Sequence, residues 1–336
     1  MTTVLINGAH SPLGRRLANL VRADPAVDQV VAVDDPASLS PSGGLLDVIV
    51  LAPASGPDRD GSTVGGVDLP TASTLLDTLD RAIREGANVR RLVVLSSAMV
   101  YGAWPDNAVP LTEAAALRPN PGCRYAAEKA ELERLCTEWA FDHGVPAAVL
   151  RPTITVSGEP EAVDWMEASL WHAPTARHGE GDPPGQFLLV DDLAGALEHA
   201  RRSGIEGAYN VAPDGWIGPD RQVDLTGRGG RLRIPAPLAG LVAAVRWRWR
   251  LTSTPPEIVP YTMHPWVVAN DRLRATGWAP TSTNDEAFVA GNREGWWSSL
   301  NARRRQDIAL GALVAALAGT AAGVIAAVRR ASRPSE

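Results

Sequence analysis

Short apolar blocks punctuate the first half of the chain: TVLIN at 3–7, VVAV at 30–33, DVIVLA at 47–52, LVVL at 92–95 and AAVLRP at 147–152. Runs that are apolar at nearly every position, rather than at every second one, predict strands buried on both faces. Between them the period changes. Leu13, Leu17, Leu20 and Val21 recur at helical spacing, and STLLDTLDRAIREG reads as a helix stopped at Gly86. A further helix is predicted from about Arg124 to His143, ending at Gly144. FLLVDDLAGALEHARR, from residue 187, reads as a strand end leading into a helix. Strands alternating with helices in this way predict an α/β fold on a doubly wound parallel sheet.

From about residue 205 the alternation gives way to a stretch dense in Pro, Gly and Trp, and nine of the eleven tryptophans fall after residue 160. The expected organisation is a core over 1–204 and a smaller covering region over 205–302. Residues 308–328, IALGALVAALAGTAAGVIAAV, are uncharged throughout, with Thr320 the single polar side chain and arginines on both flanks. As a helix this run spans about 31 Å, close to the hydrocarbon thickness of a bilayer. It is apolar on all sides, so a transmembrane helix is expected, the other reading being an alanine-rich helix buried in the fold or in a homodimer. Gly319 and Gly323 have the spacing that permits pairing with a second copy.

Composition narrows the partners. The net charge of −6, with no dominant basic block, argues against nucleic acid. Two cysteines make neither a disulfide framework nor a metal knuckle, and the six histidines include no His-x-x-x-His pair, so no metal site is expected. The start of the chain lacks the pattern of a secretory signal, so the body is expected in the cytoplasm, anchored to the membrane through 308–328.

Three stretches carry chemistry. VLINGAHSPLGRRL follows a strand and opens a helix, as a dinucleotide-binding turn does, with Gly8 and Gly14 in place and Ser11 where a middle glycine is usual. Its helix N-terminus would receive a pyrophosphate, to which the Ser11 hydroxyl could donate. Asp34 ends the next strand, 20 residues after Gly14, where an acid favours NAD over NADP by meeting the ribose hydroxyls. Second, Tyr125-Ala-Ala-Glu-Lys129 sets a phenol and an ammonium one helical turn apart, so that the cation lowers the cost of a tyrosinate. Of the 32 basic residues, Lys129 is the only lysine. Third, LVVLSSAMVYG puts Ser96 and Ser97 at a strand end, the edge of such a sheet that faces a ligand crevice.

With these stretches, DVIVLAPA, PLTEAAALRPNPGCRYAAEK, VLRP, FLLVDDLAGAL and GAYNV, the chain from about 3 to 215 resembles an extended short-chain dehydrogenase/reductase of the NAD-dependent epimerase/dehydratase family. The resemblance implies a Rossmann-type core, 152–187 contributing to a substrate pocket, and NAD held by Gly8, Ser11, Leu13, Gly14 and Asp34. It implies Tyr125 as acid/base, Ser97 as the residue that holds the reacting oxygen, and Lys129 as a partner of Tyr125 and of the nicotinamide ribose. The substrate would be a small molecule, a nucleotide sugar or a lipid alcohol such as a sterol. Four departures qualify this. Ser11 replaces a glycine, and only 12 residues separate Asp34 from Asp47, too few for the usual helix and third strand. Asp68 stands where the family has Asn, and TITVSGEPEA lacks the Asn of the sugar site. The first three favour a non-catalytic dinucleotide sensor, which intact Ser97, Tyr125 and Lys129 oppose, and the last favours the lipid alcohol over the nucleotide sugar. LAGLVAAVRWRWR, finally, could cap a pocket, touch lipid headgroups, or be a domain helix with a solvated basic end.

Overall fold

The computed structural model describes residues 1–33, 36, 44–54, 66–159, 177–178, 183–226, 233–249 and 255–291. Asp34 and the run 308–328 lie outside the described residues. Among the described residues no helix is long and apolar enough to cross a membrane.

The core is a six-stranded, wholly parallel sheet in the order β2-β1-β3-β4-β5-β9. Its strands are β1 (Thr2–Asn7), β2 (Gln29–Val33), β3 (Leu45–Val50), β4 (Asn88–Leu95), β5 (Ala147–Pro152) and β9 (Gly207–Val211). β1 lies between β2 and β3, with its Asn7 opposite both Val33 and Val50. The chain therefore winds outward in two directions from β1, and a crevice opens between the carboxyl ends of β1 and β3. Among the described residues no further strand stands between β2 and β3 in the chain. β9 brings the chain back into the sheet after residue 204, so the break expected there is not a break in the core layer.

Side-chain alternation along the strands separates two cores. Val4, Ile6, Ile49, Leu51, Val93 and Leu95 face α1 (Pro12–Arg22) and α4 (Val190–Ser203). Leu5, Val48, Val50, Leu92 and Val94 face α2 (Leu69–Arg84) and α3 (Arg124–His143). α3 ends where expected because Gly144 takes a left-handed conformation (φ 62°) that closes the last turn. α2 begins four residues earlier than the apolar pattern indicates. Asp68 caps it by accepting from the Thr71 amide (3.2 Å), and Pro70 sits in its first turn.

At the amino ends of the strands, buried Asp47 accepts from Arg90 (2.9 and 2.6 Å) and from Arg201 (3.0 Å), while Arg201 also pairs with Glu198 and Asp24. This ionic knot ties β3, β4, α4 and the turn after α1 together opposite the crevice.

Smaller elements cover the carboxyl side. β6 (Ile154–Val156) pairs with β8 (Phe187–Leu189), and the two-residue strands β7 (Arg177–His178) and β10 (Arg233–Ile234) pair with each other. α5 (Pro219–Thr226), α6 (Ala236–Arg248), a 3-10 helix (Pro256–Thr262), α7 (Asp271–Arg274) and α8 (Asn284–Gly291) complete the described chain. Phe288 of α8 meets Phe187 edge to face at 4.8 Å. Leu111 exchanges backbone hydrogen bonds with Val267 and Ala269 (2.8 Å each), and Gln186 holds both ends of the Val268 peptide unit.

Candidate active site

The glycine turn leaves β1 at Gly8, whose φ of 76° suits glycine, and enters α1 at Gly14. A Cβ on Gly14 would stand 2.2 Å from the Gly8 carbonyl oxygen, so this position has no room for any side chain. Ser11 is different. Its backbone is extended (φ −63°, ψ 160°), which any residue adopts, and its Oγ accepts from the Gly14 amide (3.0 Å). The residue that breaks the glycine pattern is thus the N-cap of α1, followed by Pro12 in the first turn. No acidic residue occupies that turn. A cradle with no space for a Cβ, opening on the positive end of a capped helix, fits a dinucleotide pyrophosphate.

Beside it, α3 brings Tyr125 and Lys129 into the crevice. Both are buried, and the Lys129 Nζ lies 5.9 Å from the Tyr125 ring centre. The ammonium donates to three backbone carbonyls: Leu51 (3.0 Å), Ala52 (3.1 Å) and Leu95 (3.0 Å). These belong to the carboxyl ends of β3 and β4, so one cation spans the two strands that border the site. A compact ammonium with three rotatable donors suits three converging carbonyls, whereas a planar guanidinium does not. That accounts for a lysine here in a chain otherwise confined to arginine. Contact with a nicotinamide ribose, the role the resemblance implies, would require one of these bonds to be exchanged.

Leu13 of α1, Ser96, Tyr125, Lys129, Thr155 and Val190 of α4 line one cavity of about 30 Å³. That is roughly one water's share of liquid volume, so the cavity is the floor of the site and not its full extent. The structure brings the turn, Tyr125 and Lys129 together. Of the two serines it is Ser96 that lines this floor. Ser97 is buried next to it and caps the turn Ala98–Tyr101, its Oγ accepting from the Met99 amide (3.2 Å).

The Ser96 hydroxyl donates to Glu133, which grips Arg151 through two bonds (2.9 and 2.6 Å). Arg151 donates to the Tyr101 hydroxyl (2.9 Å), which donates to Asn210 (2.8 Å). Burial works against the Arg151 charge, but Glu133 and Tyr101 outweigh it and hold the guanidinium firmly protonated. Burial pushes the Tyr101 phenol above its ordinary range, against the pull of Arg151. This buried line runs under the site from α3 through β5 to β9 and was missed at the sequence level. Two signals were present: Glu133 continues the Tyr125–Lys129 face of α3 by one turn, and Arg151 is a charge inside an apolar strand. Thr153, at the end of β5, keeps a buried hydroxyl with no hydrogen-bond partner.

Comparison with known proteins agrees with this geometry. An uncharacterized protein of Mycobacterium tuberculosis is 25% identical over 317 residues, covering 85% of this chain and 82% of that one. One of Sinorhizobium fredii is 28% identical over 231 residues, covering 62% and 56%. Among solved structures, RMD from Pseudomonas aeruginosa complexed with NADPH superposes with a TM-score of 0.59 at 20% identity, covering 86% of this chain and 97% of that one. Thermus thermophilus UDP-glucose 4-epimerase in complex with NAD gives 0.58 at 19% identity, with the same coverage. The NAD dependent epimerase/dehydratase family matches residues 46–212, the span from β3 to the end of β9 that holds Tyr125, Lys129 and both serines. With that match over Ser96, Ser97, Tyr125 and Lys129, the chain belongs to the NAD-dependent epimerase/dehydratase family, enzymes of the extended short-chain dehydrogenase/reductase type.

Proposed function

We propose that the protein is an oxidoreductase that moves hydride at an alcohol or carbonyl carbon of a small-molecule substrate, with NAD bound across the glycine turn and the cavity. The observation that carries this reading is the convergence of Tyr125, Lys129 and Ser96 with Leu13 of the turn helix around one cavity. NAD supplies the hydride acceptor. Tyr125 exchanges the substrate hydroxyl proton, and the Lys129 ammonium close to its ring favours the tyrosinate. Ser97 accepts from the Met99 amide, which leaves its hydroxyl proton to be donated to the reacting oxygen. Asp34, through the ribose hydroxyls, would select NAD over NADP.

A nucleotide sugar is supported as substrate by neighbours such as the Thermus UDP-glucose 4-epimerase and the dTDP-glucose 4,6-dehydratase of Bacillus anthracis. A second reading, a lipid alcohol, is supported by the absent Asn in TITVSGEPEA and by the uncharged run 308–328. That run would hold the enzyme on the cytoplasmic side of a membrane. Truncation before residue 308 should release the protein to the soluble fraction, and continued membrane retention would refute the anchor.

Acid denaturation of the purified protein should release near-stoichiometric NAD(H). Tyr125→Phe should retain that cofactor and lose turnover by roughly 10²–10⁴-fold. Unchanged cellular function in Tyr125→Phe would instead favour a dinucleotide sensor.

A further inference from the structure

Helix α6 is apolar on nearly every side over APLAGLVAAV, and a helix of that kind is ordinarily buried all round. Here it is covered on one side. Ala239, Val242 and Ala243 pack with Val259 and Met263 around the 3-10 helix Pro256–Thr262. At about 100° per residue a second stripe, about 110° round the helix from the covered one, carries Leu238, Leu241, Val245 and Trp249, which are 49%, 64%, 47% and 74% exposed. Four large apolar side chains in one row form a patch, unlike singly scattered surface residues.

Charge decides what fits it. Residues 225–256 hold six arginines and no Asp or Glu, in a chain whose net charge is −6. Arg248 is exposed at the end of the stripe, with Arg246 half-buried beside it and Trp247 and Trp249 interleaved. A second copy meeting this face with its own would set arginine against arginine. A lipid surface with anionic headgroups satisfies both parts: acyl chains take the aliphatic row, and the interface favours Trp and Arg together.

We infer that α6 is an interfacial helix whose face Leu238, Leu241, Val245 and Trp249 docks on an anionic membrane surface, with Arg246 and Arg248 at the headgroups. The inference rests neither on the run 308–328 nor on the reaction proposed above. It does connect to the site: beneath α6, the Tyr261 hydroxyl donates to the Met99 carbonyl (2.8 Å), in the turn that Ser97 caps.

The test uses the full chain with Leu241→Cys carrying a polarity-sensitive fluorophore, and Phe141→Cys as the control. Phe141 is 86% exposed on α3, and the native Cys123 and Cys136 are buried and so are shielded from the label. Each is mixed with phosphatidylcholine vesicles bearing a lipid-linked quencher, with or without phosphatidylglycerol. The label at 241 should be quenched on the phosphatidylglycerol vesicles alone and recover in high salt, while the label at 141 stays bright. Arg246→Gln with Arg248→Gln should weaken the quenching partition roughly 25-fold, at about fivefold per cation. Insertion through 308–328 alone would leave both labels bright and overturn the assignment. So would equal quenching on neutral vesicles, or a blue shift at 241 that grows with protein concentration before any lipid is added, the sign of self-association.

Discussion

Asn7 and Lys129 hold the peptide units on either side of Ala52: the Asn7 Oδ1 accepts from the Ala52 amide, and the Lys129 Nζ donates to the Ala52 carbonyl, both at 3.1 Å. Ala52 has a φ of 41°, a conformation that residues with a side chain seldom adopt. The end of β3 therefore keeps its shape by side-chain hydrogen bonds from β1 and α3, at the mouth of the crevice. Lys129→Met should lower stability by about 2–4 kcal/mol, since it leaves buried carbonyls unmet. Lys129→Arg should not rescue it. Denaturant titration of both variants checks this, and wild-type midpoints would show that the three carbonyl bonds carry no weight.

The glycine turn yields an asymmetric pair of substitutions. Gly14→Ala places a methyl group within 2.2 Å of the Gly8 carbonyl oxygen and should weaken NAD binding by at least about tenfold as the turn opens. Ser11→Gly restores the usual pattern yet removes the cap on α1, so it should cost a few tenths of a kcal/mol and leave NAD affinity nearly unchanged. Isothermal titration with NAD separates the two. Improved binding in Ser11→Gly would mean that the serine obstructs the phosphate.

Glu257 provides a pH signature. Its carboxyl, over Arg124 and Glu128, is pushed up to about 7 chiefly by burial, with Glu128 adding to the shift and Arg124 opposing it. One of its oxygens, Oε1, is buried without a hydrogen-bond partner. A carboxyl raised in the folded state binds its proton more tightly there than in the unfolded chain. Stability from this group is complete below the ordinary value of 4.5 and lost as pH climbs through about 7. Glu257→Gln should therefore gain about 1 kcal/mol relative to the parent above that window, a figure reduced for partial exposure, and nothing below it. Melting curves across the range that run parallel would contradict this.

At the opposite end of the sheet, Asp47→Asn removes the negative charge that Arg90 and Arg201 share. A loss of about 3–5 kcal/mol is expected, with NAD affinity unchanged because the knot lies at the strands' amino ends. Any loss of cofactor binding beyond the loss of folded protein would tie the knot to the crevice.

The strands, α1 and α3 were legible in the sequence because each is written locally: unbroken apolar runs, a Ser-Pro start, a terminating glycine. The pairing of Tyr125 with Lys129 was legible for the same reason, being one helical turn. What Lys129 bonds was not, since its partners are backbone carbonyls of distant strands and carry no residue code. Arg151 and Glu133 meet only once β5 and α3 are packed, and the start of α2 at Asp68 depends on a cap beyond the apolar pattern. Ser96 and Ser97 are adjacent in sequence, but the direction each hydroxyl takes is set by Glu133 and by the Met99 amide.

The interlocking of Leu111 with Val267 and Ala269, and of Gln186 with Val268, bears on synthesis. A ribosome releases residue 111 long before residues 265–270, and Asn107 likewise waits for the Pro265 carbonyl (2.8 Å). The early part of the sheet can form during translation, yet the loops around Leu111 and Gln186 stay incomplete until the covering region has emerged. Nascent chains stalled before residue 265 should be cut by protease within residues 103–120, and chains stalled well beyond 270 should resist. The covering region is in this sense the last strand of the weave, and its arrival commits the active site to its final form.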